Sequence, residues 1–504
     1  MISSIFVKSY LAFNTNKSYK NIKIMPEHTI TSLLKNIKIE YSKITSVQNF
    51  PSTVIENKEK NTVINLPPRT VVKLLIQPEE KSNIQVELSL PDPRNWNKKF
   101  LGLGNGGAAG NINTEVFLEP LSRGFAAATT DMGTAPSPDS GIQNIAVWKD
   151  FGYRATHLMT VVSKQIIEIY YGILPEFSYF SGVSTGGQQA LQEAQRYPED
   201  YDGIIAGLPA HSRVPLHAYF LWNEQILNKC PFSEQQQKNI IAGANEYMAP
   251  KELPQIAGKF ISDPRCSTDD LKTIIKIAKK RDNSLTRKHI NALWKLFDGP
   301  THKLTGERIF NGIPPGSSFD IAHGHLYLFK WVFGKDKSIM DINFAEDIDF
   351  YAESLVSYLN AENHNISKFK KNSGKLIIFS GSADSCVPYH ATLDYYERVI
   401  EHCGSLEEAK SFSRFYIIPG ASHGSSSPGI NKIPDFLELL IQWREKEIAP
   451  DFIKGLRIIG NEVEMEIPIY PYPLKPLWDP KSKTFKSFYG SRGGIERISK
   501  RFRI

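Results

Sequence analysis

Strand-like and helix-like segments alternate along two stretches of this chain, and that alternation limits its fold more than any other feature. FSYFSG (177–182) and YDGIIAGLPA (201–210) are typical of buried strands, and the segment between them, TGGQQALQEAQRYP (185–198), is typical of a helix that stops before a proline. The same alternation returns with GKLIIFSG (374–381) and SFSRFYIIPG (411–420). It predicts an α/β fold with a mostly parallel sheet and helices on both faces.

The alternation is interrupted in the middle of the chain. Residues 213–364 are more polar and largely helical in pattern. A length of 504 residues is also too great for one ordinary core. We therefore predict an α/β catalytic domain made of 28–212 and 365–504, a large, mainly helical lid domain inserted at 213–364, and a leader or disordered arm at 1–27.

Composition excludes several function classes. The net charge of +7 is spread over the chain, whereas a nucleic-acid binder concentrates basic residues on one module. Only the tail Lys481–Arg503 is clearly basic, and we expect it to be a solvated terminus. No apolar run approaches the roughly 20 residues of a membrane span. The four cysteines form no C-x-x-C pair, so a structural zinc site is not expected.

A candidate nucleophile lies between a predicted strand and a predicted helix. Gly182-Val183-Ser184-Thr185-Gly186 fits G-x-S-x-G, a short pattern that gains meaning from this context. In a nucleophile elbow the turn is strained, and the helix N-terminus adds backbone N–H groups and a positive dipole end. The alternative is a glycine-rich turn in which Ser184 only caps the helix.

A serine nucleophile needs a base and an acid that orients the base. His423 follows a predicted strand in a loop of Gly and Ser, and Asp384 ends the strand before it. The chain order Ser184, Asp384, His423 is the order of α/β-hydrolases. His390 and His157 are weaker candidates for the base, the first as a surface residue of a helix, and Asp384 could instead stabilise a turn before Pro388.

The oxyanion hole requires backbone N–H groups. Thr185, directly after the serine, would supply one, and Gly106 or Gly107 in the loop GLGNGGAAG would supply the other. That loop also resembles a phosphate-binding loop, but no Lys-Ser/Thr follows it. Asp131 and Gly133 end a neighbouring strand and are expected to help shape the pocket.

With these motifs, the sequence resembles the tannase and feruloyl esterase family of α/β-hydrolases. The resemblance rests on motifs from about residue 28 onward: WNKKFLGLGNGGAAG, AAATTDMG, WKDFGYRATH, GVSTGGQQALQEAQRYPEDYDGIIAGLPA, LFDGPTHKLTGERIF, GKLIIFSGSADSCVP, LDYYERV and FYIIPGASHGSSSPG. It implies hydrolysis of phenolic-acid esters by a Ser–His–Asp triad, with a lid inserted before the acid. Secretion is the norm of the family, but MISSIFVKSYLAF is a poor signal peptide, so the compartment stays open.

The chain departs from the family pattern next to the triad. Val183 and Gly424 stand where the family usually has two cysteines that form a disulfide, and we expect packing around Val183 to replace that bond. The lid lacks the run of aspartates that binds calcium in relatives, so neither a metal nor a cofactor is expected. Cys386 and Cys403 are expected to be free thiols, a disulfide between them being the alternative.

Together these features predict a serine carboxylic ester hydrolase acting on a small phenolic-acid-type or related aromatic ester. The alternatives are an acyltransferase with the same site and a non-catalytic binding module on a hydrolase fold. Aromatic residues of the lid are candidates for stacking on a phenolic ring or, individually, for the lid core: Tyr219, Phe220, Trp222, Trp294 and Trp331.

Overall fold

The structure, a computed structural model, describes residues 34, 37–57, 62–249, 253, 256, 258–319, 325–424 and 427–503. The predicted leader 1–27 lies outside them. In chain order the strands are β1 (Ser42–Phe50), β2 (Thr53–Asn57), β3 (Thr62–Leu66), β4 (Arg69–Ile76), β5 (Ile84–Pro91), β6 (Lys99–Leu103), β7 (Ala126–Thr130), β8 (Phe177–Val183), β9 (Gly203–Gly207), β10 (Lys375–Gly381), β11 (Ser413–Ile418), β12 (Ile453–Ile459), β13 (Glu462–Ile469), β14 (Leu474–Asp479) and β15 (Thr484–Tyr489).

Nine of these strands form one sheet in the order β1-β4-β5-β7-β6-β8-β9-β10-β11. The five ladders from β7 to β11 are parallel. The three ladders from β1 to β7 are antiparallel. The prediction of a mostly parallel sheet is confirmed, and the carboxyl ends of β6, β8, β9, β10 and β11 meet at one edge.

Helices cover both faces of this sheet. They are α1 (Leu118–Ser122), α2 (Ile145–Lys149), α3 (Ala155–Tyr171), α4 (Thr185–Arg196), α5 (Arg213–Lys229), α6 (Glu234–Met248), α7 (Thr268–Arg281), α8 (Arg287–Asp298), α9 (Tyr327–Phe333), α10 (Glu346–Leu359), α11 (Ser367–Lys371), α12 (Tyr389–Cys403), α13 (Leu406–Lys410) and α14 (Phe436–Lys446). Within the described part of the chain, none is long and apolar enough to cross a bilayer.

Neighbouring residues of each central strand point to opposite faces and enter two separate apolar cores. Phe180 packs in a core with α3, α4 and α12, whereas Tyr179 packs in the other core with α1 and α14. Ile204 and Ile205 of β9 divide in the same way. Burial on both sides explains why these strands read as continuous apolar runs in the sequence.

The described residues between β9 and β10 form helices α5 to α11 and no named strand. The predicted insertion at 213–364 has this helical character, although its exact boundaries stay a prediction. Its apolar residues, such as Leu293 and Leu355, belong to the same core cluster as Phe180 of the sheet. The helices of the insertion therefore pack directly on the sheet domain.

The basic tail is not a solvated terminus, and that expectation is wrong. Phe502 is fully buried, and its carbonyl oxygen accepts a hydrogen bond from the Asn360 side chain at 2.8 Å. Arginines of the tail pair with carboxylates elsewhere in the chain, for example Arg492 with Glu397 at 2.6 Å. The positive charges that suggested solvation are therefore used to attach the tail to the fold.

Candidate active site

Ser184 occupies a strained turn between β8 and α4. Its φ of 63° and ψ of −115° lie outside the regions that L-residues ordinarily populate. Its N–H donates to Gly207 O at 2.9 Å, and its carbonyl oxygen accepts from Ala210 N at 3.0 Å. These bonds to the segment after β9 hold the turn in place, and the hydroxyl projects at the carboxyl edge of the sheet.

The glycines of the motif are required by close packing. A Cβ on Gly182 would lie 2.3 Å from the carbonyl oxygen of Gly186, and a Cβ on Gly104 would lie 2.6 Å from the Gly186 Cα. Three backbone segments, from β6, β8 and α4, thus meet with no room for a methyl group. We call residues 182–186 the elbow and residues 104–110 the glycine loop.

The structure brings Ser184, His423 and Asp384 together in the predicted order. His423 Nε2 lies 3.0 Å from Ser184 Oγ, and His423 Nδ1 lies 2.8 Å from Asp384 Oδ2. Asp384 is fully buried after β10, and its Oδ1 accepts from the N–H groups of Cys386 and Val387 at 2.9 and 2.8 Å. His423 follows β11. With Nδ1 donating to Asp384, Nε2 presents its lone pair to the serine hydroxyl.

Two opposing effects act on the pKa of His423. Burial lowers the pKa, but the hydrogen bond and the negative charge of Asp384 more than offset that effect and leave the pKa above its ordinary value. The carboxylate therefore stabilises the imidazolium that forms when His423 accepts a proton.

The other two candidate bases lie elsewhere. His390 is buried in α12 rather than exposed, so the expectation that it is a surface residue is wrong. Burial lowers the pKa of His390 to about 4. His157 lies near the start of α3, where its Nδ1 is 2.6 Å from Asp200 Oδ2 and its ring stacks on Tyr197. Neither contacts Ser184 in the described structure.

Three backbone N–H groups near Ser184 form no hydrogen bond within the described residues: those of Thr185, Gly106 and Gly107. The carbonyls beside them are occupied, since Gly106 O accepts from Ala109 N at 3.0 Å and Gly107 O accepts from the Thr185 hydroxyl at 2.5 Å. Groups that face a substrate oxyanion must be free in this way. Their role in an oxyanion hole stays a prediction.

Asp131 supports the glycine loop from behind. Its carboxylate accepts from Gln85 N at 2.9 Å and Gly133 N at 2.8 Å, and its carbonyl oxygen accepts from Gly110 N at 3.3 Å. The side chain is almost completely buried, and burial raises its pKa to about 6. Asp131 therefore shapes the loop without lining its open side.

The loop that carries His423 is held differently from the elbow. We define the histidine loop as residues 419–430, of which 425 and 426 lie outside the described residues. The side chain of Val183 is 46 % exposed, so the expectation that packing around it replaces a disulfide is wrong. Hydrogen bonds anchor the loop instead, from Ala383 N to Ala421 O at 2.9 Å and from Gly420 N to Ser382 Oγ at 2.7 Å.

All four cysteines, Cys230, Cys266, Cys386 and Cys403, are free thiols. No disulfide therefore joins the histidine loop to the elbow, and the alternative of a bond between Cys386 and Cys403 is not seen.

The candidate aromatic residues of the insertion are buried in the core or half-buried against it. Tyr219 and Trp331 are fully buried, and Trp331 Nε1 donates to Pro138 O at 2.6 Å, so both belong to the core. Trp222 and Trp294 are only partly buried against the same core. Phe220 lies one helical turn from His217, and its ring centroid is 6.3 Å from that of His325, whose Nε2 would lie 3.5 Å from a Cβ on Gly107. Phe220, itself buried in the same core, thus packs beside His325, which lies against the glycine loop.

Sequence reasoning missed Arg213. This buried residue begins α5, and its guanidinium donates to Gly107 O at 2.9 Å and to Thr185 Oγ1 at 3.0 Å. The only signal in the sequence was that Arg213 follows shortly after β9, the strand next to the one that leads into the elbow.

One group of side chains in the described ranges has the composition of a metal site. Ligand atoms of His157, Glu193 and Asp200 all lie within 4.8 Å of one another. Glu193 is nine residues along α4 from Ser184, a rise of about 13 Å. The group is therefore remote from the serine hydroxyl.

A sequence model of the family described as tannase and feruloyl esterase matches residues 69–348 and 326–488 of this chain. Among curated relatives, a protein named probable feruloyl esterase B-2 from Aspergillus flavus is 28 % identical, over 79 % of this chain and 82 % of the relative.

Two crystal structures from Aspergillus oryzae share the fold. An esterase superposes with a TM-score of 0.77 at 22 % identity, covering 92 % of this chain and 99 % of its own. Feruloyl esterase B superposes with a TM-score of 0.73 at 24 % identity, covering 90 % and 97 %. At these identities the likeness shows the α/β-hydrolase fold.

Proposed function

The chain belongs to the tannase and feruloyl esterase family and is a carboxylic ester hydrolase, and from that premise we propose that it hydrolyses phenolic-acid esters through a Ser184–His423–Asp384 triad. The relatives named as feruloyl esterases support the substrate class. The observation that carries the mechanism is the pair of contacts made by the His423 ring, 3.0 Å to Ser184 Oγ and 2.8 Å to Asp384 Oδ2.

In the proposed reaction, His423 accepts the Ser184 proton as the hydroxyl attacks the ester carbonyl. The N–H groups of Thr185 and of Gly106 or Gly107 hold the resulting oxyanion, each donor contributing roughly 3 kcal/mol. His423 then protonates the leaving alcohol, and an acyl-enzyme remains. Water repeats the sequence in reverse and releases the acid.

The side of the site away from the triad is proposed to receive the phenolic ring. Phe220 of α5 and His325 lie beside the glycine loop, with ring centroids 6.3 Å apart. An aromatic acyl group packed against the half-buried His325 ring, with Phe220 behind it, would gain apolar burial. The reaction needs no metal or cofactor, because the triad and the backbone N–H groups supply every proton transfer and the charge stabilisation.

The hydrogen-bonded chain from Asp384 to Ser184 supports an active enzyme rather than the non-catalytic binding module. The test is hydrolysis of 4-nitrophenyl acetate, methyl ferulate and methyl gallate, with EDTA present. We expect the unmodified enzyme to hydrolyse both phenolic-acid esters as well as the activated 4-nitrophenyl ester, and kcat to fall by at least about 10⁴-fold in Ser184→Ala.

The matched control is Ser163→Ala in α3, which removes a buried hydroxyl that has no hydrogen-bond partner among the described residues. Its kcat should equal that of the unmodified enzyme. Equal turnover in Ser184→Ala and the unmodified enzyme would rule out the serine mechanism. Turnover of 4-nitrophenyl acetate with no turnover of methyl ferulate or methyl gallate would overturn the substrate class alone.

A further inference from the structure

Arg213 connects the two backbone segments that supply the proposed oxyanion N–H groups. One guanidinium nitrogen, Nη2, lies 2.9 Å from Gly107 O in the glycine loop and 3.0 Å from Thr185 Oγ1 at the start of α4. The same nitrogen donates to the Tyr327 hydroxyl at 2.7 Å. Thr185 Oγ1 in turn donates to Gly107 O. The guanidinium and the threonine hydroxyl thus fix the orientation of the Gly107 carbonyl.

The position of Arg213 itself is fixed by the fold. Arg213 begins α5 directly after the segment whose Ala210 N–H donates to Ser184 O. The next residue, Val214, donates its N–H to Asn360 Oδ1 at 2.9 Å. The guanidinium carbon lies 5.0 Å from the centroid of the Phe151 ring. A side chain so confined can hold its partners in one geometry.

The charge of Arg213 is unusual for a buried residue. Only 3 % of the residue is exposed, and no carboxylate of the described residues lies within ion-pair distance of it. Its hydrogen-bond partners are two hydroxyls and a carbonyl, and its Nε has no partner in the part of the chain that the structure describes. Burying a cation with neutral partners is costly, so a neutral side chain would stabilise the fold better.

The neighbouring histidines do not add a compensating anion. Burial holds the pKa of His217 well below its ordinary value, and the positive charge of Arg213 lowers it further. His217 is therefore neutral beside a permanent cation. The positive charge stands next to Gly107 and Thr185, where negative charge develops in the proposed reaction.

We propose that Arg213 is a positioning residue for the oxyanion hole, which orients the glycine loop against Thr185 and adds positive potential where the oxyanion forms. This inference rests on the proposed function. The inference goes beyond the proposed function because the triad remains complete without Arg213. Stabilisation that appears only as charge develops acts on kcat rather than on KM.

The test compares Arg213→Met, which keeps the length and loses the charge, with Arg213→Lys, which keeps the charge and loses the branched head. We measure kcat and KM on 4-nitrophenyl acetate, inhibition by phenylboronic acid, and Tm. For Arg213→Met we expect kcat to fall about 100-fold with KM within threefold, and the boronic acid to bind more weakly by a similar factor. Arg213→Lys should recover about tenfold in kcat, which a packing role would not give.

The matched control is Arg414→Met. Arg414 is a buried residue of β11, and its guanidinium lies over the ring of Trp443 in α14. Its kcat should not change. Unchanged kcat in folded Arg213→Met overturns the inference, and so does a rise in KM alone, because that result would place Arg213 against the substrate. Should Arg213→Met not fold, kcat of Arg213→Lys equal to that of the unmodified enzyme overturns it. Absence of Ser184-dependent turnover in the unmodified enzyme overturns the proposed function instead.

Discussion

The elbow and the histidine loop meet at the hydrogen bond between Ser184 and His423, yet their packing differs. The elbow is held by backbone packed against backbone, with no space for a methyl group at Gly182. The histidine loop is packed as closely where it leaves β11, since a Cβ on Gly420 would lie 2.6 Å from the Phe260 ring, but a Cβ on Gly424 would contact no atom within 4 Å. The nucleophile thus lies on closely packed backbone, whereas the base lies toward the open end of its loop.

Apart from the loss of Ser184 itself, the largest effect is expected on the histidine side, from Asp384→Asn. The amide would present a donor to His423 Nδ1, favour the wrong tautomer and lower kcat/KM about 10³-fold. Loss of the carboxylate would also lower the pKa of His423, which Asp384 now raises. Activity requires the neutral imidazole and is lost as pH falls through that pKa. The acid limb of the pH profile is the range in which kcat/KM falls as pH is lowered. In the unmodified enzyme this limb should therefore lie above about pH 6.5, and in Asp384→Asn it should move to lower pH.

The pH profile of kcat/KM measures both effects. The control is Asp394→Asn, which removes a buried carboxylate that pairs with Arg398 in α12. It should leave the acid limb where it is, even if Tm falls. An acid limb unmoved in Asp384→Asn would show that Asp384 does not control the titration of His423.

The second prediction compares the same substitution in the two regions. Gly182→Ala would place a Cβ 2.3 Å from the Gly186 carbonyl oxygen, so backbone must move, and we expect the free energy of unfolding to fall by about 1–3 kcal/mol. Gly424→Ala meets no atom and should change the free energy of unfolding by less than about 0.5 kcal/mol. Urea denaturation of both variants measures the difference, and equal losses would remove the distinction drawn between the regions.

The smallest effect is expected from reduction. Because all four cysteines are free and neither Val183 nor Gly424 can form a disulfide, dithiothreitol should leave both Tm and kcat unchanged. A disulfide-bonded protein treated in parallel shows that the reductant is active. A fall in Tm of several degrees for this enzyme would mean that a covalent bond supports the histidine loop after all.

Local patterns predicted the parts of the site that depend on strand ends. The loops after β8, β10 and β11 lie at one sheet edge, so the chain order of Ser184, Asp384 and His423 was enough to expect their meeting. Alternation likewise predicted the parallel strands, because each is buried on both faces and reads as a continuous apolar run.

The errors concern residues whose surroundings come from distant segments. His390 has the position of a solvent-facing helical residue but is buried, and the arginines of the tail are engaged by carboxylates far away in the chain. Val183 is exposed although its neighbours in the elbow are tightly packed. Neither periodicity nor composition carries information on such long-range packing.

The sequence by itself determined the α/β architecture, the family and the candidate triad, because those follow from periodicity and from the order of chemically distinctive residues. Only the tertiary structure decided that hydrogen bonds rather than Val183 hold the histidine loop, and that Arg213 reaches Gly107 and Thr185. The contact of Arg213 with Gly107 spans 106 residues of chain. It arises because β6, β8 and β9 are neighbours in the sheet, and that adjacency is a property of the folded chain.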